Sequence, residues 1–478
     1  MLEVMPMGKF VPRPIPEIAQ PLPGIQEPIS IRQWLGLNTF DPLNISDSQF
    51  TDMSNMTTDD YPAATVRPGY SVLGSAIGGK VLGVAVWKDI ELHSWFGDGT
   101  WRKWTGSTWT TLKSGLSTTA MWSWTSFQGN LDDINLVAAN GVDGLHRYDG
   151  STVQTFSDAP TNINFITTYQ NRLWGGSGKE LHASALDQPE AWNIFGGTGE
   201  DSFVKDMESI RGESINSLSG SLSKLVIGMP NSIHELYGAL PSEFTVRLIT
   251  EKEGTANNRA AVVQESTMRF AHQTGIFEYL SGGMYPDKTF SEIIDKFTTN
   301  INSNAVMGSD NDKTYCYDGS SRILVYDARN GVQSWLSWSG YTPTCYTIFQ
   351  HDLYVGDATG RVLKLDNSQN DAGAPISWYL VTKAFTNPVM SQRQRWLKMW
   401  LYAEIPVGTT INIYLSTTKD GNDFNLVHTV VGTGTKVERV IIPVRSVVLE
   451  NTVRVKISGT GPAKIHELVR QVRQLPLF

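Results

Sequence analysis

KTYCYDGSSRILVYDARNGVQSW (313–335) reads as an apolar strand, an Asp-Gly turn, a second apolar strand, a turn at Asn330-Gly331 and a closing tryptophan. Alternating apolar residues rich in aromatic and β-branched types suit half-buried strands, and Asn-Gly suits the positive φ angles of a tight hairpin. Six other stretches carry the same order of strand, turn, strand and aromatic. They are WFGDGTWRKWTGSTW (95–109), NGVDGLHRYDGSTVQTF (140–156), NRLWGGSGKELHASAL (171–186), KLVIGMPNSIHELYG (224–238), MRFAHQTGIFEYLSGG (268–283) and DLYVGDATGRVLKLDN (352–367). Their turns fall near residues 98, 142, 177, 230, 274, 319 and 358, a mean step of a little over 40 residues. That is the length of one propeller blade, a four-stranded antiparallel meander. The sequence predicts an all-β fold with a β-propeller of about seven blades over residues 71–375. Residues 187–215 and 284–303 break the pattern and leave six or eight blades open. The second break contains SEIIDKF (291–297), read as one short helix.

Outward from the repeat, residues 376–478 change character. RQRWLKMWLYAEI, TTINIYLSTT, FNLVHTVV, KVERVIIPV and TVRVKISG are longer alternating strands separated by Gly, Pro, Asn and Asp, which predicts an antiparallel β-sandwich. On the other side, residues 1–31 hold Pro6, Pro12, Pro14, Pro16, Pro21, Pro23 and Pro28. Proline fixes φ and removes a donor, so this stretch predicts an extended arm of polyproline character. Its Leu2, Val4, Met5, Met7, Phe10, Val11, Ile15 and Ile18 are more apolar than a solvated linker needs, so the stretch reads as an arm lying along a partner subunit or as a disordered tail. Residues 32–70 read as irregular, with Arg67-Pro68-Gly69-Tyr70 as the turn into the first blade, so 1–70 is taken as arm and entry segment.

Charged residues make up 18% of the 478, below the roughly 25% of an average domain. No apolar run is long enough for a membrane helix, and the N-terminus lacks the apolar core of a signal peptide. Cys316 and Cys345 lie in strand-like segments and read as small core residues, not a disulfide. Residues 376–478 carry 13 Lys+Arg against 6 Asp+Glu, so the rest of the chain holds −15 of the net −8. An acidic main body argues against tight nucleic-acid binding. The basic C-terminal domain reads as a solvated face or as one that docks on an acidic surface.

The eight histidines are His93, His146, His182, His234, His272, His351, His428 and His466, and none has metal-ligand spacing. They read as strand histidines with internal partners. GGSGKE (175–180) lacks the first Gly of a phosphate loop and has Glu180 where Ser or Thr would hold magnesium, so it reads as a hairpin turn. STTKDGNDF (416–424) is a single copy outside the blades and reads as another. A sialidase-type site would need converging arginines, for which Arg102, Arg147, Arg172 and Arg247 are candidates. Trp101, Trp104 and Trp109 read as blade core, or as sugar-stacking residues of a carbohydrate- or receptor-binding propeller. The residues predict no enzyme, no catalytic, cofactor-binding or metal-binding residues, and no cofactor.

ITTYQNRLWGGSGKELHASALDQPEAWNIFGGTGEDSF (166–203) resembles a segment of the phage packaged-DNA stabilisation and tail-hub proteins. There, a strand and hairpin precede an aspartate–proline turn closed by an aromatic, places held here by Tyr169–Trp174 and Asp187–Trp192. LVIGMPNSIHELYGALPSEFTVRLITEKEGTA (225–256), GIFEYLSGGMYPDKTFSEIIDKF (275–297) and RILVYDARNGVQSW (322–335) are similar to the elements that follow in that family. NMTTDDYPAATVRPGY (55–70) is similar to its entry turn and PAKIHELVRQVR (462–473) to a closing strand. The resemblance implies a structural virion protein of a phage tail, made in the bacterial cytoplasm. It would form a homo-hexameric hub, nozzle or adaptor ring that contacts the portal, its adaptor and other tail proteins. DNA would pass through the channel without specific binding and be retained there, and the chain would not insert in a membrane.

Overall fold

A computed structural model of the chain describes residues 26–475 except 208–210, 284, 311, 330–332, 367, 388, 390, 391 and 435. The proline-rich stretch up to residue 25 and the turn at Asn330-Gly331 therefore lie outside the described residues. The described chain is 49% strand and 3% helix.

From residue 70 to residue 365 the strands form antiparallel meander sheets in chain order. They span 81–113 (sheet 1), 123–155 (sheet 2), 165–206 (sheet 3), 217–250 (sheet 4), 261–280 (sheet 5), 306–338 (sheet 6) and 343–365 (sheet 7). Sheet 5 has three strands; the others have at least four. Each repeat copy quoted above falls in a different sheet, and each predicted turn is the hairpin between that sheet's second and third strands. GGSGKE is such a hairpin, with Ser177 paired to Glu180.

The first strands abut one another. Val81–Trp87 touches Ser123–Phe127, which touches Phe165–Tyr169, which touches Ser217–Ser219. Leu218 N donates to Asn258 Oδ1 at 3.3 Å and links sheet 4 to the start of sheet 5. Ala261–Gln264 touches Val306–Ser309, which touches Pro343–Phe349, and that strand returns to Val81–Trp87. The outer strand of sheet 7 comes from the other end of the repeat: Tyr70–Val72 pairs with Val362–Leu365. This is the meander arrangement of a β-propeller.

The short helix expected at SEIIDKF is present as a 3-10 turn over Thr289–Ile294 running into Asp295–Thr298. Cys316 and Cys345 are free and buried in strands, and burial pushes both thiols up in pKa.

Residues 376–475 lie in two further sheets, but not alone. One runs Met56–Thr57, Ala64–Val66, Lys464–Gln474, Gln394–Glu404 and Val437–Ile442, with Ile29–Ile31 also on Lys464–Gln474. The other runs Phe50–Ser54, Ser377–Thr382, Thr452–Thr460, Thr410–Ser416 and Asn425–Val431, with Phe385–Thr386 also on Thr452–Thr460. Their inward residues, among them Trp396, Leu401, Ile413, Val455, Ile457 and Leu468, share one core that continues into sheet 6. The expectation of an irregular segment over 32–70 is corrected: its strands complete both C-terminal sheets. They are two to five residues long, and Phe50–Ser54 and Ala64–Val66 pair with strands more than 300 residues away, so local periodicity barely marks them.

Candidate functional site

The entry turn is held by one arginine. Arg67 is buried, and its Nε donates to Asn55 Oδ1 at 3.0 Å. Nη1 donates to the Pro68 carbonyl and to Asp371 Oδ1, both at 2.9 Å. Nη2 donates to the Ser339 carbonyl and to Asp371 Oδ2, both at 2.7 Å. The guanidinium also lies near the rings of Trp338 and Tyr341. This bidentate pair joins the entry strand, the end of sheet 6 and the exit from sheet 7. Gly69 is required beside it, because a Cβ there would run into the Asn370 carbonyl.

A second ion network lies nearby. Lys313 Nζ is 2.6 Å from Asp59 Oδ1, and Arg329 bridges Asp59 and Asp327. Burial alone would raise the Asp59 pKa, but Lys313 and Arg329 hold it below the usual carboxylate range. These charges border a cavity of about 510 Å³ that also exposes Asp310, Asp352 and His351. Among the described residues no group of three or more His, Cys, Asp and Glu side chains is placed to hold a metal.

The candidate arginines sit apart. Arg102 pairs with Asp98 at 2.6 Å and Arg147 with Glu190 at 2.8 Å. Arg172 donates to the carbonyls of Ser184, Asp201 and Gly199, and Arg247 stacks on Tyr237. Each belongs to a different sheet, so they do not converge on one carboxylate. STTKDGNDF closes a hairpin in which Asp423 accepts from Thr417 N and from the hydroxyls of Ser416, Thr417 and Thr418. Those donors pull its pKa down, Ser416 foremost.

The tryptophans divide. Trp101 is fully buried against Trp95, while Trp104 and Trp109 form a half-buried cross-strand pair at 5.2 Å. Five histidines, His93, His146, His182, His234 and His272, are buried in strands. His93 Nδ1 accepts from Trp101 Nε1 at 3.1 Å, and Nε2 lies 3.3 Å from Glu91 Oε2. Burial pushes His93 down to about 4 against the pull of Glu91. Burial does the same to His146, also to about 4.

One surface escaped sequence reasoning. Val437–Ile442 and Asn425–Val431 each end the strand path of their sheet and touch one another. Val437 is 53% exposed, Ile441 64%, Val431 63% and Leu426 55%, and Val407 on the adjoining loop is 77% exposed. Among the described residues no further strand pairs with either edge, and an unpaired edge with an apolar face is a ready template for another strand. The signal was present: VERVII and NLVHTVV lose strict alternation and carry apolar residues on both faces. Arg439 stacks on Trp400 and adds positive charge to the strip.

No family model matches the chain, and no curated protein does. Solved structures are similar at 12% identity. The WD40 β-propeller domain of Doa1 has a TM-score of 0.43, covering 63% of this chain and 98% of that one. BBS1N, solved in complex with ARL6DN, has a TM-score of 0.43, covering 63% of this chain and 97% of that one. The computationally designed protein Ika8 has a TM-score of 0.39, covering 62% of this chain and 99% of that one. Likeness at this level carries no inference about function.

Proposed function

We propose that the chain is a structural virion protein of a phage tail, a homo-hexameric hub, nozzle or adaptor ring below the portal. In this reading sheets 1 to 7 are seven blades, closed by Tyr70–Val72, and the two C-terminal sheets are a β-sandwich that recruits the entry strands. The chain acts mechanically, not as an enzyme, and needs no cofactor. Copies pack side by side, contact the portal or its adaptor, prolong the DNA channel and keep packaged DNA in. The acidic body suits a channel in which DNA slides without specific binding.

The observation that carries the reading is the exposed apolar double edge on a C-terminal part of net +7, attached to a body of net −15. Such a chain offers both an apolar and a charge-complementary contact to its own copies. The test is genetic. Particles are expected to contain the protein in fixed stoichiometry, and deleting its gene should yield heads that fill and then leak DNA. Infectious, DNA-retaining particles without it would overturn the reading. A second reading, a glycan-binding propeller, rests on the half-buried Trp104–Trp109 pair, and glycan-array binding lost in Trp104→Ala would favour it.

A further inference from the structure

The double edge needs a cover, and so does the N-terminal arm. Residues 1–25 carry eleven large apolar side chains and six prolines. At polyproline rise they reach ~80 Å. The described chain begins at Gln26, whose N donates to the Val472 carbonyl at 3.2 Å. From there Ile29–Ile31 runs antiparallel to Lys464–Gln474, with Ile29 opposite Arg470 and Ile31 opposite Leu468. Followed backward, the arm therefore leaves toward Gln474, which pairs with Gln394.

The apolar edge sits at the other end of the same sheet. Val437 pairs with Glu404 and Ile441 with Trp400. Gln394–Glu404 is 11 residues long, so the exit and the far end of the edge are roughly 30 Å apart along the strands. The exit points away from the chain's own edge, so the arm would have to turn back to reach it. A neighbouring copy placed on that side would receive it without that turn.

We propose that the arm of one copy docks on the exposed edge of Val437–Ile442 and Asn425–Val431 of the next. The proposal rests on the homo-oligomeric part of the function proposed above. A proline-bearing segment is tolerated in a sheet only as its outermost strand, which is the position this edge offers. Half-buried Trp400 and Tyr402, beside Ile441 and Arg439 on the same sheet, give proline rings the aromatic face they pack on. The exchange covers both apolar sets at once, and a head-to-tail contact of this kind closes a ring when its rotation returns to the start.

Both native cysteines are buried, so an introduced one is the only exposed thiol among the described residues. Val4→Cys, Val11→Cys and Ile18→Cys chains are each co-expressed with a differently tagged Ile441→Cys chain and treated with a bismaleimide. A covalent dimer of arm variant and edge variant is expected from at least one pair. Removing residues 1–25 should convert the oligomer to monomers without lowering the melting temperature of the remaining fold. Ile441→Asp should dissociate the full chain in the same way. Absence of a covalent dimer from every mixed pair, with a cross-link inside a single chain given both cysteines, would overturn the exchange, as would persistence of the oligomer after arm removal. In that last case the ring reading stands. A monomeric parent chain would overturn both.

Discussion

Arg67 shows how much one side chain does when its partners come from distant parts of the chain. It is buried, and three of its nitrogens reach Asn55, Pro68, Ser339 and Asp371. Removing one partner of such a pair strands the other charge. Arg67→Met is therefore expected to cost roughly 3–5 kcal/mol in denaturant unfolding. Asp371→Asn, which keeps an acceptor, should cost less. His93 gives a pH signature. Its Nδ1 is occupied as an acceptor from Trp101, and burial holds its pKa near 4 against 6.5 when unfolded. The unfolded chain thus binds the proton first, so stability is full above about pH 6.5 and falls as pH drops toward 4. His146 acts in the same direction. Urea midpoints measured across that window should decline with falling pH, and His93→Gln should flatten the decline. A slope unchanged by His93→Gln would remove His93 as its source.

At the scale of elements, the hairpins were legible and the closures were not. Each turn near 98, 142, 177, 230, 274, 319 and 358 announced itself because a hairpin is a local event with local turn chemistry. Asp98, Asp318 and Asp357 each cap the backbone N–H two residues on, which is why Asp recurs there. Tyr70–Val72 has no such signal, since its pairing with Val362–Leu365 is written in no neighbouring residue. The same holds for Phe50–Ser54 and Ala64–Val66, and for the free edges, whose exposure depends on which strand comes last. Leu73 N donates to the Val362 carbonyl at 2.9 Å, just beyond the closing strand. Leu73→Pro removes that donor. Amides of Val362–Leu365 are then expected to lose hydrogen-exchange protection, while those of Gln394–Glu404 keep theirs. Equal loss in both would mean that sheet 7 does not open as a separate unit.

For the whole molecule, two forces bear on assembly, and they respond differently to salt. In the proposed oligomer the C-terminal part of net +7 and the body of net −15 would attract across the contact between copies, and salt would screen that attraction beyond a Debye length of about 8 Å. The apolar edge formed by Val431, Val437 and Ile441 does not weaken with salt. Long-range charge steers encounter, whereas buried apolar contact sets how long the complex lasts. Raising ionic strength severalfold should therefore slow association of labelled subunits by about tenfold or more and leave dissociation nearly unchanged. Ile441→Asp should do the reverse, speeding dissociation with a smaller effect on encounter. The two rates can be read from subunit exchange between donor- and acceptor-labelled populations. If salt accelerated dissociation as strongly as it slowed association, the contact would be held by ion pairs, and the apolar edge would not be the seat of assembly.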